Sequence, residues 1–389
     1  MKKINLLLLA LFTAATLGAQ TFDTGFSFYT EAYAGLDMRQ PLSQNRPLFM
    51  SNHHRLNEVA INLVQAEYGY LATNRNTRLK LGLQAGTYVE RNLGIEPPGL
   101  RNVSEAYAGM RVSNTREIWI DMGIFNSHIG VESARGIDND MLTRTLMADN
   151  SPYYETGVRM LYKSSKLDLG FFVLNGWQNI RRFTLPRTGP SLGTQVQWRV
   201  GQFTINSSAF FGQLIPRPIM LIRAFHNLWI SYTSPNEKHK LTFAFDAGYQ
   251  STGSNPQTNA SYWFAQSLIY RGNINEHWSV TARAEAYLDP DAVFISQPVI
   301  GAFGANIYGG AAGTEYRFNE NFCIRAEARL LQADKNLFET STRPSANAYP
   351  QVSYFDQNLS GVIAICYRIP NVTALSFSDP EKPRSTQKD

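Results

Sequence analysis

The chain has 389 residues, a formal net charge of +5, 12% aromatic residues and only 17% charged ones. No basic run is interleaved with aromatics, so nothing supports a nucleic-acid partner. Two cysteines are too few for a disulfide scaffold or a metal cluster.

Residues 1–19 read as a Sec signal peptide. Met1-Lys2-Lys3 is a positive start, Ile4 to Leu17 is largely apolar, and Leu17-Gly18-Ala19 supplies small residues for cleavage. Removing Lys2 and Lys3 leaves a mature charge of about +3. Beyond Ala19 no window approaches about 18 consecutive apolar residues, so a transmembrane helix is excluded.

Strand alternation then dominates. From Arg78 to Glu90, Leu79, Leu81, Leu83, Ala85, Thr87 and Val89 share one face, and Arg78, Lys80, Gly82, Gln84, Gly86, Tyr88 and Glu90 the other. Lys240 to Gln250 and His277 to Asp289 repeat the period of two. Sixteen segments follow this pattern: 24–37, 55–71, 78–90, 102–112, 116–125, 156–163, 166–177, 191–200, 202–211, 222–233, 239–250, 260–271, 277–288, 303–318, 322–334 and 355–369. The spacers between them alternate strictly between long and short. That is the layout of an up-and-down antiparallel outer-membrane β-barrel, with short periplasmic turns and long external loops. A soluble sandwich has no reason to alternate loop lengths, and its outward face would be polar. The predicted fold is therefore an all-β transmembrane barrel of about 16 strands over 20–369, with a polar tail over 370–389. Aromatics near strand ends, among them Tyr88, Trp119, Phe125, Trp177, Trp198, Phe203, Trp229, Tyr262, Trp263, Trp278, Tyr287, Phe318 and Phe322, predict two interfacial girdles.

The long segment 126–155 stands out, because structureless loops of that length are usually functional. Its surroundings carry a resemblance. Gly123-Ile124-Phe125-Asn126-Ser127-His128-Ile129-Gly130-Val131-Glu132, Asp138-Asn139 and Thr143-Arg144-Thr145-Leu146 resemble the third-loop signature of OmpL-like β-barrel porins. Ser151-Pro152-Tyr153-Tyr154-Glu155-Thr156-Gly157-Val158-Arg159, Asn175-Gly176-Trp177 and Glu105-Ala106-Tyr107 also fit. The resemblance is specific over 102–177; elsewhere only the strand pattern agrees. It implies a passive channel in the outer membrane of a Gram-negative cell, inserted by the barrel-assembly machinery, surrounded by outer-membrane lipid and trimeric by analogy. The chain departs from the family at its C-terminus, where a polar tail follows Tyr367-Arg368-Ile369 instead of a terminal aromatic.

A sixteen-strand barrel leaves a water-filled channel whose selectivity comes from what protrudes into it. The predicted constriction is Glu132, Arg135, Asp138, Asp140, Arg144 and Glu155 on the loop. The predicted wall is Arg78, Lys80, Glu105, Arg111, Asp121, Arg159, Arg283, Arg325 and Arg329. An acidic loop facing a basic wall would set a transverse field, and the basic excess predicts a mild anion preference among small hydrophilic solutes or ions. No cofactor is called for, and Asp138-Asn139-Asp140 lacks the spacing of a calcium loop. His53-His54 is expected to be exposed. Cys323 and Cys366 fall opposite each other if the last two strands pair, making them the candidate disulfide. Two other readings remain: a closed barrel used as a surface anchor, and a phospholipase-type enzyme built on Asn126, Ser127 and His128. The latter is disfavoured because adjacent residues of an extended chain point apart.

Overall fold

The computed structural model describes residues 23–72, 74–182, 189–215, 221–251, 260–295, 304–342 and 351–373. Its strands are β1 (Asp23–Asp37), β2 (Val59–Leu71), β3 (Thr77–Ala85), β4 (Val103–Arg111), β5 (Glu117–Asn126) and β6 (Tyr154–Lys163). Then come β7 (Leu167–Leu174), β8 (Ser191–Val200), β9 (Phe203–Ile215), β10 (Leu221–Thr233), β11 (His239–Ser251) and β12 (Ala260–Asn273). The last are β13 (Trp278–Asp289), β14 (Ala305–Asn319), β15 (Phe322–Ala333), β16 (Phe338–Thr342), β17 (Gln351–Phe355) and β18 (Gln357–Thr373).

Among the described residues, sixteen of these close into one antiparallel barrel. Each strand pairs with its predecessor, and β18 closes the ring by pairing with both β15 and β1. β16 and β17 form a separate hairpin inside the last long loop. No helix is long and apolar enough to cross a membrane.

Period-two alternation makes this barrel inside-out. Along β13, exposed and buried residues alternate from Trp278 to Glu285. Leu192, Val196, Phe243, Leu268 and Ile363 are exposed on the outer wall, while Asn227, Ser267, Glu285 and Arg329 are buried within. An apolar outside around a polar inside is what lipid demands of a barrel. Turns at one end are short (72–76, 112–116, 164–166, 201–202, 234–238, 274–277 and 320–321), and the connections at the other end are longer except between β9 and β10, where only 216–220 intervene.

Several expectations are corrected. β3 stops at Ala85, and Thr87–Asn92 is a short helix, α1. Gly86 causes the switch: its φ is 127°, and a Cβ there would lie 2.4 Å from the Asn62 carbonyl oxygen. Glu90 therefore belongs to a helix over the mouth, not to the wall. β18 runs on to Thr373, so the predicted tail begins inside a strand. Residues 1–22 and 374–389, which carry the signal-peptide and remaining tail expectations, lie outside the described residues. Of the aromatics expected in girdles, Trp198, Phe203, Tyr262, Trp278 and Phe318 are exposed. Tyr88, Trp119, Phe125, Trp229, Trp263 and Tyr287 are instead buried inside the barrel. Periodicity marks an aromatic's face only when the strand register is known, so position near a strand end could not separate the two groups.

Cys323 and Cys366 are direct cross-strand partners between β15 and β18. Both are buried, and both are free thiols.

Candidate functional site

The lumen is not an empty polar tube. The segment between β5 and β6 turns inward and crosses it, touching wall after wall. At its start, His128 stacks on Phe172 with ring centroids 4.1 Å apart. Its Nδ1 lies 2.9 Å from Glu155 Oε2, and its Nε2 lies 2.9 Å from the Ala209 carbonyl oxygen. Two acceptors favour imidazolium: burial opposes the charge, but the Glu155 carboxylate prevails and raises the pKa. Next, the Gly130 N–H donates to Asn227 Oδ1 on β10 at 3.2 Å.

The segment then reaches β1 and β2. The Arg135 guanidinium donates to Gln65 Oε1 at 2.6 Å and pairs with Glu67. The Gly136 N–H donates to Glu31 Oε2 at 2.9 Å. From β15, Arg325 donates to the carbonyls of Gly136 and Asp140, the latter at 2.7 Å. Asp140 pairs with Lys240 of β11 at 2.9 Å, and Asp138 with Arg368 of β18 at 3.4 Å.

Deepest in the crossing, Thr143 gives its N–H to Glu327 Oε2 at 2.9 Å and its hydroxyl to the same carboxylate. Arg283 donates to the Thr143 carbonyl at 2.7 Å. Leu146 opens a short helix, α2 (Leu146–Asp149), capped by the Thr145 hydroxyl, and its N–H donates to Glu285 Oε2 at 2.8 Å. Ile129, Leu146 and Met147 pack with wall residues Phe172, Phe210, Phe225, Trp263 and Tyr287 in one apolar cluster. Each such burial contributes about 2 kcal/mol. The crossing is thus held by an apolar core as well as by charge.

A second loop, 38–58, joins it from above. Phe49, Met50, Asn52, His53 and His54 are all buried. This corrects the expectation that His53-His54 is exposed. His53 pairs with Glu31, and its backbone N–H donates to Asn62 Oδ1 at 2.9 Å. The Asn52 amide donates to Asp149 Oδ1 at 3.0 Å, and Asn150 donates to the Phe49 carbonyl at 3.1 Å. Burial pushes the Asp149 carboxyl up, favouring its neutral form.

The six loop residues expected at a constriction divide into two groups. Arg144 is fully buried, and its guanidinium staples the loop to itself by donating to the carbonyls of Ser133, Leu142 and Ala134 at 2.6 Å each. Glu132 accepts from Thr145, and burial raises its pKa. Glu155 sits on β6 and is fully buried, accepting from Ser127 and His128. Arg135, Asp138 and Asp140 retain exposure, each beside a wall residue of opposite charge. Charges therefore interleave instead of facing off across the lumen. In a low-dielectric interior a carboxylate is tolerated only beside its own cation, which disfavours two segregated banks.

All nine wall residues lie on the inner face. Arg78 and Arg159 converge on Asp121 at 2.6 and 2.8 Å, Lys80 reaches Glu67 at 2.7 Å, and Arg111 pairs with Glu117 at 2.9 Å. Glu105 lies 4.0 Å from Lys80. Arg283 and Arg329 meet at Glu285, and Arg325 reaches Glu315 at 3.1 Å. Toward the short turns, the cation is the wetter partner in most pairs, although Arg111 at 16% is drier than Glu117 at 48%. Arg78 keeps 24% side-chain exposure against 0% for Asp121, and Lys240 keeps 39% against 16% for Asp140. Ser127 and His128 each bond Glu155 and not each other, so no nucleophile–base relay forms. Asp138, Asn139 and Asp140 point to separate partners.

A model of the family described as beta-barrel porin-2, OmpL-like, matches residues 24–366. No curated protein sequence matches significantly. Among solved structures, the chain is similar to OmpT of Vibrio cholerae at 10% identity, covering 91% of this chain and 99% of that one with a TM-score of 0.55. DcaP, an outer membrane channel of Acinetobacter baumannii, matches at 9% identity, 90% and 99% coverage and a TM-score of 0.56. An anion-selective porin from Comamonas acidovorans matches at 10% identity, 90% and 99% coverage and a TM-score of 0.53.

Proposed function

From its membership of the OmpL-like beta-barrel porin-2 family, to which the chain belongs, we propose that it is an outer-membrane porin passing small hydrophilic solutes by diffusion, with loop 127–153 governing the width of the path. The carrying observation is that this loop crosses the lumen: Gly136 bonds Glu31 of β1 and Gly130 bonds Asn227 of β10, strands seven places apart in the sixteen-strand ring. Selection acts through pore radius and charge, without covalent chemistry. The wetter cations of most lumen pairs give the water-facing surface a positive bias, supporting a preference for anions. Sec export of a precursor cleaved after Ala19 and assembly as a homotrimer belong to the same reading. A trimer form is among the solved structures of OmpT.

Single-channel conductance of the refolded protein in a planar bilayer tests this. Discrete steps are expected, growing when residues 132–149 are deleted. A reversal potential in a salt gradient is expected to report anion preference, and cation selectivity removes that part. The burial of inner-face residues such as Asn206, Asp246 and Ser267 favours a second reading, a barrel whose filled lumen serves as a surface anchor. A folded, heat-modifiable barrel that never conducts establishes that one.

A further inference from the structure

High in the lumen, between loop 38–58 and the seam of β15 with β18, two arginines share one place. Arg329 of β15 and Ser360 of β18 are cross-strand partners. Arg46 reaches the same spot from the loop, its Nη2 3.5 Å from Ser360 Oγ. Both side chains are more than nine-tenths buried. Arg46 Nε and Nη1 and Arg329 Nη1 lack a partner among the described residues, while Arg329 Nη2 lies 2.7 Å from Glu285 Oε1.

The neighbouring carboxylates are engaged elsewhere. Glu327 accepts from Thr143 and Arg283, and Asp37 from Asn358 at 2.7 Å and from the Arg39 N–H at 2.8 Å. Glu285 takes the Arg329 Nε at 3.0 Å, together with Arg283 and the Leu146 N–H. Asp149 is bound by Asn52, and burial raises its pKa. Burial and the proximity of Arg329 together depress the Arg46 pKa to about 10. Buried guanidiniums with open donor edges are costly unless something accepts from them.

We propose that Arg46 and Arg329 together form a binding site for a small oxyanion of phosphate type, seated between loop 38–58 and the barrel wall. Two forks present three open donor nitrogens, which suits an acceptor bearing several oxygens on one centre. The Ser360 hydroxyl adds a donor of adjustable direction. The site rests on the porin reading only for the route by which the ion arrives, since binding itself needs no conduction.

Calorimetric titration of the detergent-refolded chain with inorganic phosphate at constant chloride tests the site. One saturable site per chain is expected, weakened at least about tenfold in Arg46→Gln. Arg199→Gln, at the opposite rim and paired with Asp168, is expected to bind as the unmodified chain does. Arg329→Gln should match Arg46→Gln where it folds. Because Arg329 also holds Glu285, the loop variant decides the outcome. No saturable heat, or equal binding by heat-modifiable Arg46→Gln, overturns the site. Bilayer conductance is read separately: phosphate binding without conduction sustains the site and removes the porin, and conduction without binding does the reverse.

Discussion

Arg283 carries more of the crossing than any residue of the loop itself. Its guanidinium meets Glu285 at 3.1 Å, Glu327 at 3.4 Å and the Thr143 carbonyl at 2.7 Å, all buried. Arg283→Gln leaves buried Glu327 without its cation and Glu285 with Arg329 alone. The expected cost is about 3 to 5 kcal/mol, the range for breaking a buried pair by removing one partner. Urea unfolding of the refolded barrel measures it, and the channel should also become noisier as Thr143 loses its hold. The side of the wall on which Arg283 sits was legible from the alternation Val280, Ala282, Ala284 against Thr281, Arg283, Glu285. Its partner was not. Thr143 lies 140 positions away, and no periodicity links a loop threonine to a distant strand. Arg144 shows the converse: a charged loop residue next to a presumed pore invites a solvent-facing role, yet three carbonyls of its own loop enclose it.

At the scale of elements, the strands were readable and the inward loops only half so. Period two survives wherever lipid faces one side and the lumen the other, which is why the barrel strands emerge with nearly correct limits. It fails at Gly86, where the alternation of Thr87 to Glu90 continues by coincidence through a helix. Gly86→Ala should prevent that turn, because a side chain is both strained at φ 127° and blocked by the Asn62 carbonyl. A reduced fraction of heat-modifiable protein on refolding is the expected result. Loop 38–58 escaped the sequence because its apolar residues, Phe49, Met50 and Leu56, show no period. Its histidines make its seating sensitive to acid. Burial, reinforced by Arg91, holds His54 neutral down to about 3, and burial likewise depresses His53 despite Glu31. A released loop would protonate them near about 6.5. The released state therefore binds more protons, and seating weakens as pH falls from about 6.5 towards 3. His128 works in the other sense. Its raised pKa stabilises the lumen crossing below about 6.5, and that contribution is lost as pH rises through the folded value. Protease cleavage within 38–58 should rise in acid, with a smaller rise in His54→Gln.

For the molecule as a whole, the long/short alternation of spacers carried the architecture, and family membership agrees with it over residues 24–366. What alternation could not carry was the state of the interior. A strand pattern specifies that a lumen exists and which side chains line it, but not whether loops fill it. The separations within the crossing bear on assembly. Thr143 bonds Glu327 across 184 positions, and Gly136 bonds Arg325 across 189. Those anchors leave the ribosome long after the segment they will hold. Contacts of such long range form late and slowly. The crossing segment, with its Met, Leu and Ile side chains, must therefore wait unsatisfied until β13 to β15 arrive and the β1–β18 seam closes. The lumen would be open while the wall is being built and occupied only at the end, so the last event in making this protein is an interior one.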